Sequence, residues 1–432
     1  MTDITPRRSR SRRLIPRARL IFGLIGVALC LSPVRAQVAV RADRLYTMGP
    51  AGTLDNAVVV ITGGKVAAIG PADATPVPAG HILLHAKVAT PGLVDARCTL
   101  GLSGILNSPH DSDQLERSAP IQPELRAIDA YNPLEPLVEY VRSFGITTVH
   151  TGHAPGELIS GQTIVVKLVG RTADEAVLKN PAMVAATLGP SSQKPGAQSP
   201  GTRAKQVAML REHLIRAAEY ARRGAGSPDP VDEERRDVQP GTFRGERDLR
   251  LEMLADVLAG RTPLLITANR VQDIAAALRL AEEFRFPLVL DMAAESYLLA
   301  DRIARAGVPV ILHPTMYRAT GETENLSFET AAALRRAGVR FAIQSGYESY
   351  VPKTRVVLFE AALAAAHGLT FEQALAAVTI DAATILGVHD RVGSLAPGKD
   401  GDVALFEGDP FEYTTRCTAV VINGTIVSDR PR

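Results

Sequence analysis

Short apolar runs recur through the middle of this 432-residue chain with amphipathic stretches between them, and this alternation constrains the fold more than any other feature. After a first strand within Thr90–Gly104, the runs are GITTVH (Gly145–His150), TIVVKL (Thr163–Leu168), AMVAATL (Ala182–Leu188), PLLITA (Pro263–Ala268), FPLVLDM (Phe286–Met292), VPVILH (Val308–His313) and VRFAIQS (Val339–Ser345). Arg203–Arg223, Gln272–Phe284, Tyr297–Ala306 and Phe328–Ala337 carry apolar residues at the 3.6-residue helical repeat. Strands alternating with helices predict a parallel sheet with helical crossovers. The number of units fits a closed, TIM-like (β/α)8 barrel over residues 90–392.

The two ends read differently. Residues 37–89 hold short β-branched runs with a hairpin signal at Gly63-Gly64, and 393–432 answer with strands turning at Asn423-Gly424. Together they predict a small composite β-sandwich beside the barrel. With 46% hydrophobic residues the chain has enough apolar material for both cores. Two stretches rich in Pro, Gly, Ser and charge, 189–202 and 224–248, predict long loops.

Residues 1–36 read as an export signal, with an arginine-rich start, a short apolar run at Leu20–Leu31, and small residues before Gln37. The run is too short to span a bilayer. A periplasmic or secreted location follows, with no membrane contact after cleavage. Removing this segment, with its eight Arg and one Asp, takes the formal charge from +2 to −5. A mature chain of that charge has no nucleic-acid footprint. Cys98 and Cys417 remain, and their wide separation predicts two buried thiols.

The stretch TPGLVDARCTLGLSG ends its strand in polar groups, with Asp95, Arg97 and Thr99 at alternate positions. It resembles the first barrel strand of the amidohydrolase superfamily. Pro120–Pro133, Gly145–Gly170 and Ala374–Pro410 are similar to further motifs of its imidazolonepropionase-like branch. The resemblance implies the barrel and sandwich, and hydrolysis of a C–N bond in a cyclic amide, a dipeptide or a related compound. It also implies divalent metals at the barrel mouth, bound by histidines, a carboxylated lysine or glutamate, and an aspartate. Aligned on the motifs, those ligand positions fall here at Arg97, Thr99, Ala185, Thr267, Met292 and Gly346. None has a metal-binding side chain of the expected kind, and a guanidinium at the first position repels a cation. A divergent or inactive protein, a pseudoenzyme, is therefore expected, with no cofactor.

Several polar residues still fall at predicted strand ends: Asp95, Arg97, His150, His153, Lys167, Asn269, Asp291, His313 and Gln344. Three arrangements are open. His150, His153 and His313, with Asp291, would hold a metal if the site had moved. Asp95 or Asp291 would act as a base, with Arg97 as oxyanion partner, in metal-free hydrolysis. The expected arrangement is an ion pair of Arg97 with Asp95 or Asp291, because a buried charge needs a partner. His150, His153, Lys167, Asn269 and His313 remain binding candidates for a small molecule, or a protein partner, at the former active site.

Overall fold

The computed structural model describes residues 37–106, 108–194, 200–224, 247–313, 315, 319–347 and 356–432. The export-signal reading of 1–36, most of the loop expected at 224–248, and the centre of that at 189–202 lie outside them. Along the chain, β1 (Val38–Tyr46), β2 (Thr53–Thr62), β3 (Lys65–Pro71) and β4 (Ile82–Pro91) come first. Then follow β5 (Leu93–Cys98), β6 (Ile146–Gly152), β7 (Ile159–Lys167), β8 (Val177–Lys179), β9 (Val184–Thr187), β10 (Leu264–Thr267), β11 (Leu288–Met292), β12 (Val310–Leu312) and β13 (Phe341–Ile343). The chain returns to the first group with β14 (Val403–Phe406), β15 (Cys417–Ile422) and β16 (Thr425–Ser428).

Both ends of the chain build one sheet, in the order β16-β15-β14-β4-β1-β2-β3. The hairpins turn where expected: Gly63 and Gly64 have φ of +60° and +83°, and Asn423 and Gly424 +50° and +72°. Positive φ at both central residues matches the right-handed twist of the strands they join. The sandwich is this single sheet rolled over one core, in which Val38, Val40, Ile61 and Val66 pack with Val403, Leu405 and Val421. Ile61 of β2 reaches so close to the β15–β16 turn that a Cβ on Gly424 would sit 3.0 Å from its methyl.

The barrel strands follow the order β13-β12-β11-β10-β9-β7-β6-β5, with β8 on β7. All the predicted barrel strands form, and one runs against expectation. β7 is antiparallel to both β6 and β9. Only residues 153–158 separate β6 from β7, whereas a parallel crossover needs a dozen or more residues. From β9 onward the strands pair in parallel. Val94, Val165, Leu265, Val289, Ile311 and Ala342 form an apolar layer inside the barrel, sealed by Ala382, Ala383 and Leu386 of the helix Ile380–Leu386. Cys98 and Cys417 are both buried and are not joined to each other.

The reversal of β7 relocates Lys167. Its strand ends at the face opposite the mouth, where the ammonium lies 2.6 Å from Asp400 and 2.8 Å from Asp402, and bonds Asn423. The binding role considered for Lys167 gives way to a buried tie between barrel and rolled sheet. Its two acids respond oppositely. Burial tends to raise Asp400, but Lys167, Lys65 and Arg391 outweigh it and bring the carboxyl down to about 2. Asp402 is raised, because full burial outweighs Lys167 and Asp400 repels it.

Replacing Lys167 by Met leaves Asp402 buried without a cation among the described residues, an arrangement that typically costs about 3–5 kcal/mol. Urea denaturation is expected to show that loss, with partial recovery in Lys167→Met/Asp402→Asn. A midpoint within error of wild type would refute the role given to this lysine.

Candidate functional site

The first and last barrel strands do not meet through a backbone ladder among the described residues; Asp95 joins them. Its Oδ1 accepts the Ser345 amide at 3.1 Å and the Arg97 amide at 3.2 Å, and its Oδ2 accepts the Ser345 hydroxyl. The carboxyl is fully buried. Burial raises its pKa to about 7, against the lowering effect of the Ser345 bonds.

Between Asp95 and Cys98 the register of β5 against β6 shifts, and Asp95 and Arg97 end on different partners. Arg97 is the largest fully buried side chain. Its Nη1 donates to the Cys98 carbonyl at 3.3 Å and its Nη2 to the His153 carbonyl, while Nε is without a hydrogen bond among the described residues. The expected ion pair with Asp95 or Asp291 does not form, since no carboxylate stands within 4 Å of the guanidinium among the described residues. Two backbone carbonyls hold it directly, and Asp291 acts on it only at longer range.

Asp291 is the penultimate residue of β11, beneath the mouth. Thr267 donates to it at 2.5 Å and Gln344 at 2.7 Å. Burial raises its pKa and Arg97 opposes the rise. Thr267, a position that the resemblance aligns with a metal ligand, serves here as a hydroxyl donor. Met292 follows with φ of +64°, and Ala293 with +53°. Two successive left-handed residues without glycine are a strained exit from a strand. They bring Met292 under Tyr347, whose hydroxyl donates to the Met292 sulfur. Tyr347 is raised well above its ordinary value, by burial and then by Asp291.

The two histidines of the β6–β7 hairpin, His150 and His153, do not form a pair of ligands. His150 donates from Nδ1 to the Ala96 carbonyl at 2.8 Å, and its Nε2 meets the Thr163 hydroxyl at 2.6 Å. Burial and the nearby Arg97 depress it to about 3. His153 is also buried and depressed, to about 4, and neither ring nitrogen has a hydrogen bond among the described residues. Its ring lies against Gly161, where a Cβ would approach to 2.4 Å.

His313 lies elsewhere, with Nδ1 3.8 Å from Glu360. Gly346, at φ of +84°, gives that ring its space: a Cβ there would stand 2.9 Å from Nε2. Among the described residues no three His, Cys, Asp or Glu side chains gather as a metal site would require. The relocated site on His150, His153, His313 and Asp291 is thus not assembled, because the first two histidines are used or enclosed within the β6–β7 hairpin.

A cavity of about 290 Å³ opens above this layer. Met292, Thr267 and Tyr347 line it from the strand ends, with Asn269 and His313 beside them. Ser191 and Glu322 reach it from the short 3-10 helices Pro190–Ser192 and Gly321–Thr323, and the Ser191 amide donates to Glu322 at 2.7 Å. Asp95, Arg97 and Asp291 do not line it; they lie fully buried. The sequence-predicted residues therefore divide: Asn269 and His313 face the cavity, while the proposed catalytic trio sits outside it. Glu322, Tyr347 and Glu360 escaped the sequence reading. Glu360, in the otherwise apolar helix Val357–Ala366, had a signal, because a lone acid in VLFEAALAAA must find a partner; it accepts the Thr315 amide at 2.8 Å.

Comparison with known proteins bears on the family and the fold. A family model described as "Amidohydrolase family" matches residues 273–428. The amidohydrolase tasK of Hapsidospora irregularis is 26% identical over 83% of this chain, which spans 38% of that protein's length. An imidazolonepropionase of Brucella anthropi is 24% identical over 86% of this chain and 93% of its own. The crystal structure of an amidohydrolase from Thermotoga maritima covers 91% of this chain and 100% of its own, at 27% identity and a TM-score of 0.80.

Asp95→Asn keeps an acceptor for the Ser345 amide but removes the titration. A carboxyl raised from 3.8 to about 7 contributes stability that is complete below the lower value and is lost as the pH rises to the upper one. His150 and His153 titrate alike in both proteins and cancel. The variant is expected to gain on the wild type steadily between those two pH values in denaturant titrations. Parallel stability profiles would show that Asp95 is not the buried, proton-linked closure.

Proposed function

We propose, from the premise that this chain belongs to the amidohydrolase superfamily and its imidazolonepropionase-like branch, that it is an exported barrel which binds a small molecule and does not catalyse metal-dependent hydrolysis. The observation that carries the reading is Arg97. A fully buried guanidinium occupies the position where the resemblance places the first metal ligand, cradled by two carbonyl oxygens.

A divalent metal in this family polarises the scissile carbonyl and lowers the pKa of bound water, and it needs neutral imidazoles and carboxylates around it. The positions that would supply them here carry a guanidinium, two hydroxyls, a methyl, a thioether and a glycine. The residues present do not fit the ion. A fixed cation supports the same conclusion, since it would repel a second one in a site of low dielectric.

Metal-free hydrolysis is the second reading, and one observation favours it: Asp95 has a carboxyl tuned to about 7, where a general base works well. Its position argues otherwise. The carboxyl is consumed by Ser345 and the Arg97 amide and lies away from the cavity. The cavity itself, with mixed apolar and hydrogen-bonding walls, suits a small ligand.

Elemental analysis of the protein purified from the periplasm or medium is expected to find zinc, manganese and iron well below one equivalent. A screen of cyclic amides and dipeptides is expected to show no turnover. A stoichiometric metal, or hydrolysis abolished by a chelator, would end this reading; hydrolysis that survives the chelator but disappears in Asp95→Asn would favour the metal-free enzyme.

A further inference from the structure

We infer that the mouth cavity takes a small molecule with a protonated amine on an apolar body. The inference rests on the binding-barrel reading and adds the chemistry of the ligand. The floor is formed by the Met292 thioether and the Tyr347 ring, with Pro155 at the side, and these offer a surface for an apolar group. At the rim stands Glu322, half-buried. The Ser191 amide fixes its Oε1 at 2.7 Å, and Oε2 accepts no hydrogen bond from the described residues. A carboxylate oriented by one backbone donor, with its second oxygen unengaged beside a cavity, is a ready acceptor for an ammonium.

The rest of the wall sharpens the preference. Among the described lining residues no lysine or arginine is present. Arg97 lies below the floor, its two Nη atoms turned to the Cys98 and His153 carbonyls and offset by Asp291. Thr267 spends its proton on Asp291, and the Tyr347 hydroxyl spends its own on Met292. The two hydroxyl donors of the floor are thus committed, while Glu322 Oε2 at the rim is unengaged among the described residues. Asn269 and His313 stand beside the floor, the former 3.9 Å from the Met292 sulfur and the latter 3.8 Å from Glu360. A carboxylate ligand would find repulsion at Glu322 and few donors, whereas an amine finds a charge-assisted acceptor.

Calorimetric titration of the full purified protein with benzylamine, benzyl alcohol and benzoate tests this, since the three share one apolar body. Benzylamine is expected to bind at least about tenfold more tightly than the other two, the scale of one charge-assisted hydrogen bond. Glu322→Gln, which keeps an acceptor for the Ser191 amide, is expected to abolish the preference, bringing benzylamine down to the affinity of benzyl alcohol. High salt applied to the wild type is expected to weaken benzylamine selectively, a readout that does not depend on the variant folding. Benzoate or the alcohol binding as tightly as the amine, or a preference that survives in Glu322→Gln, would overturn the inference while leaving the binding barrel in place. No binding by any of the three would overturn both.

Discussion

Closing a barrel obliges its first strand to meet its last, and here one buried carboxylate makes that junction. Asp95 takes the Ser345 amide and hydroxyl and the Arg97 amide, so the ends of β5 and β13 are held by side-chain bonds in place of a ladder. Other features of the mouth follow. Ser345 held at this point puts Gln344 on the Asp291 carboxylate and Gly346 against the His313 ring. The carboxyl is desolvated by doing this work, which is why its proton affinity rises despite three hydrogen bonds. A raised pKa at a barrel mouth usually suggests catalysis; here it accompanies a carboxyl that is buried and bonded to Ser345 and the Arg97 amide.

The layer beneath the cavity sets its buried charges against protein dipoles and one another. A guanidinium in the barrel interior is tolerable because carbonyl dipoles point at it and Asp291 lies close enough to share its field. Asp291 in turn is satisfied by Thr267 and Gln344. Met292 and Tyr347 line the cavity beside Thr267, and Asp291 and Arg97 lie buried away from it. The strained backbone at Met292 and Ala293 is what turns the thioether inward, a conformation the surrounding bonds must hold. The opposite face uses a different device, with Lys167 balancing Asp400 and Asp402 between barrel and sheet.

Much of the architecture was legible in the chain. The barrel strands, the helices Arg203–Gly224 and Val271–Phe284, and both hairpin turns fall where periodicity and Gly or Asn-Gly signals put them, because burial of one face and backbone freedom at a turn are local properties. Of the site, Asn269 and His313 could be picked out as polar groups at the ends of apolar runs. The direction of β7 was implicit in the six residues before it, yet it overturned the reading of Lys167, since reversing a strand exchanges the faces its ends reach. Glu322 left no trace in the residues around it, and Tyr347 only its place beside a glycine that the His313 ring requires.

What the sequence by itself determined is the succession of elements and the kinds of group available at the mouth: a guanidinium, hydroxyls, a thioether and a methyl where the resemblance calls for metal ligands. Those are matters of side-chain chemistry and of repeats a few residues long. Only the tertiary structure decided which groups meet. It spent Asp95 on closure, denied Arg97 a direct carboxylate partner, enclosed His150 and His153 in the hairpin, and brought Glu322 to the cavity rim. Such pairings join residues up to 250 positions apart, and their geometry depends on strand direction, register shifts and loop paths that no local pattern encodes.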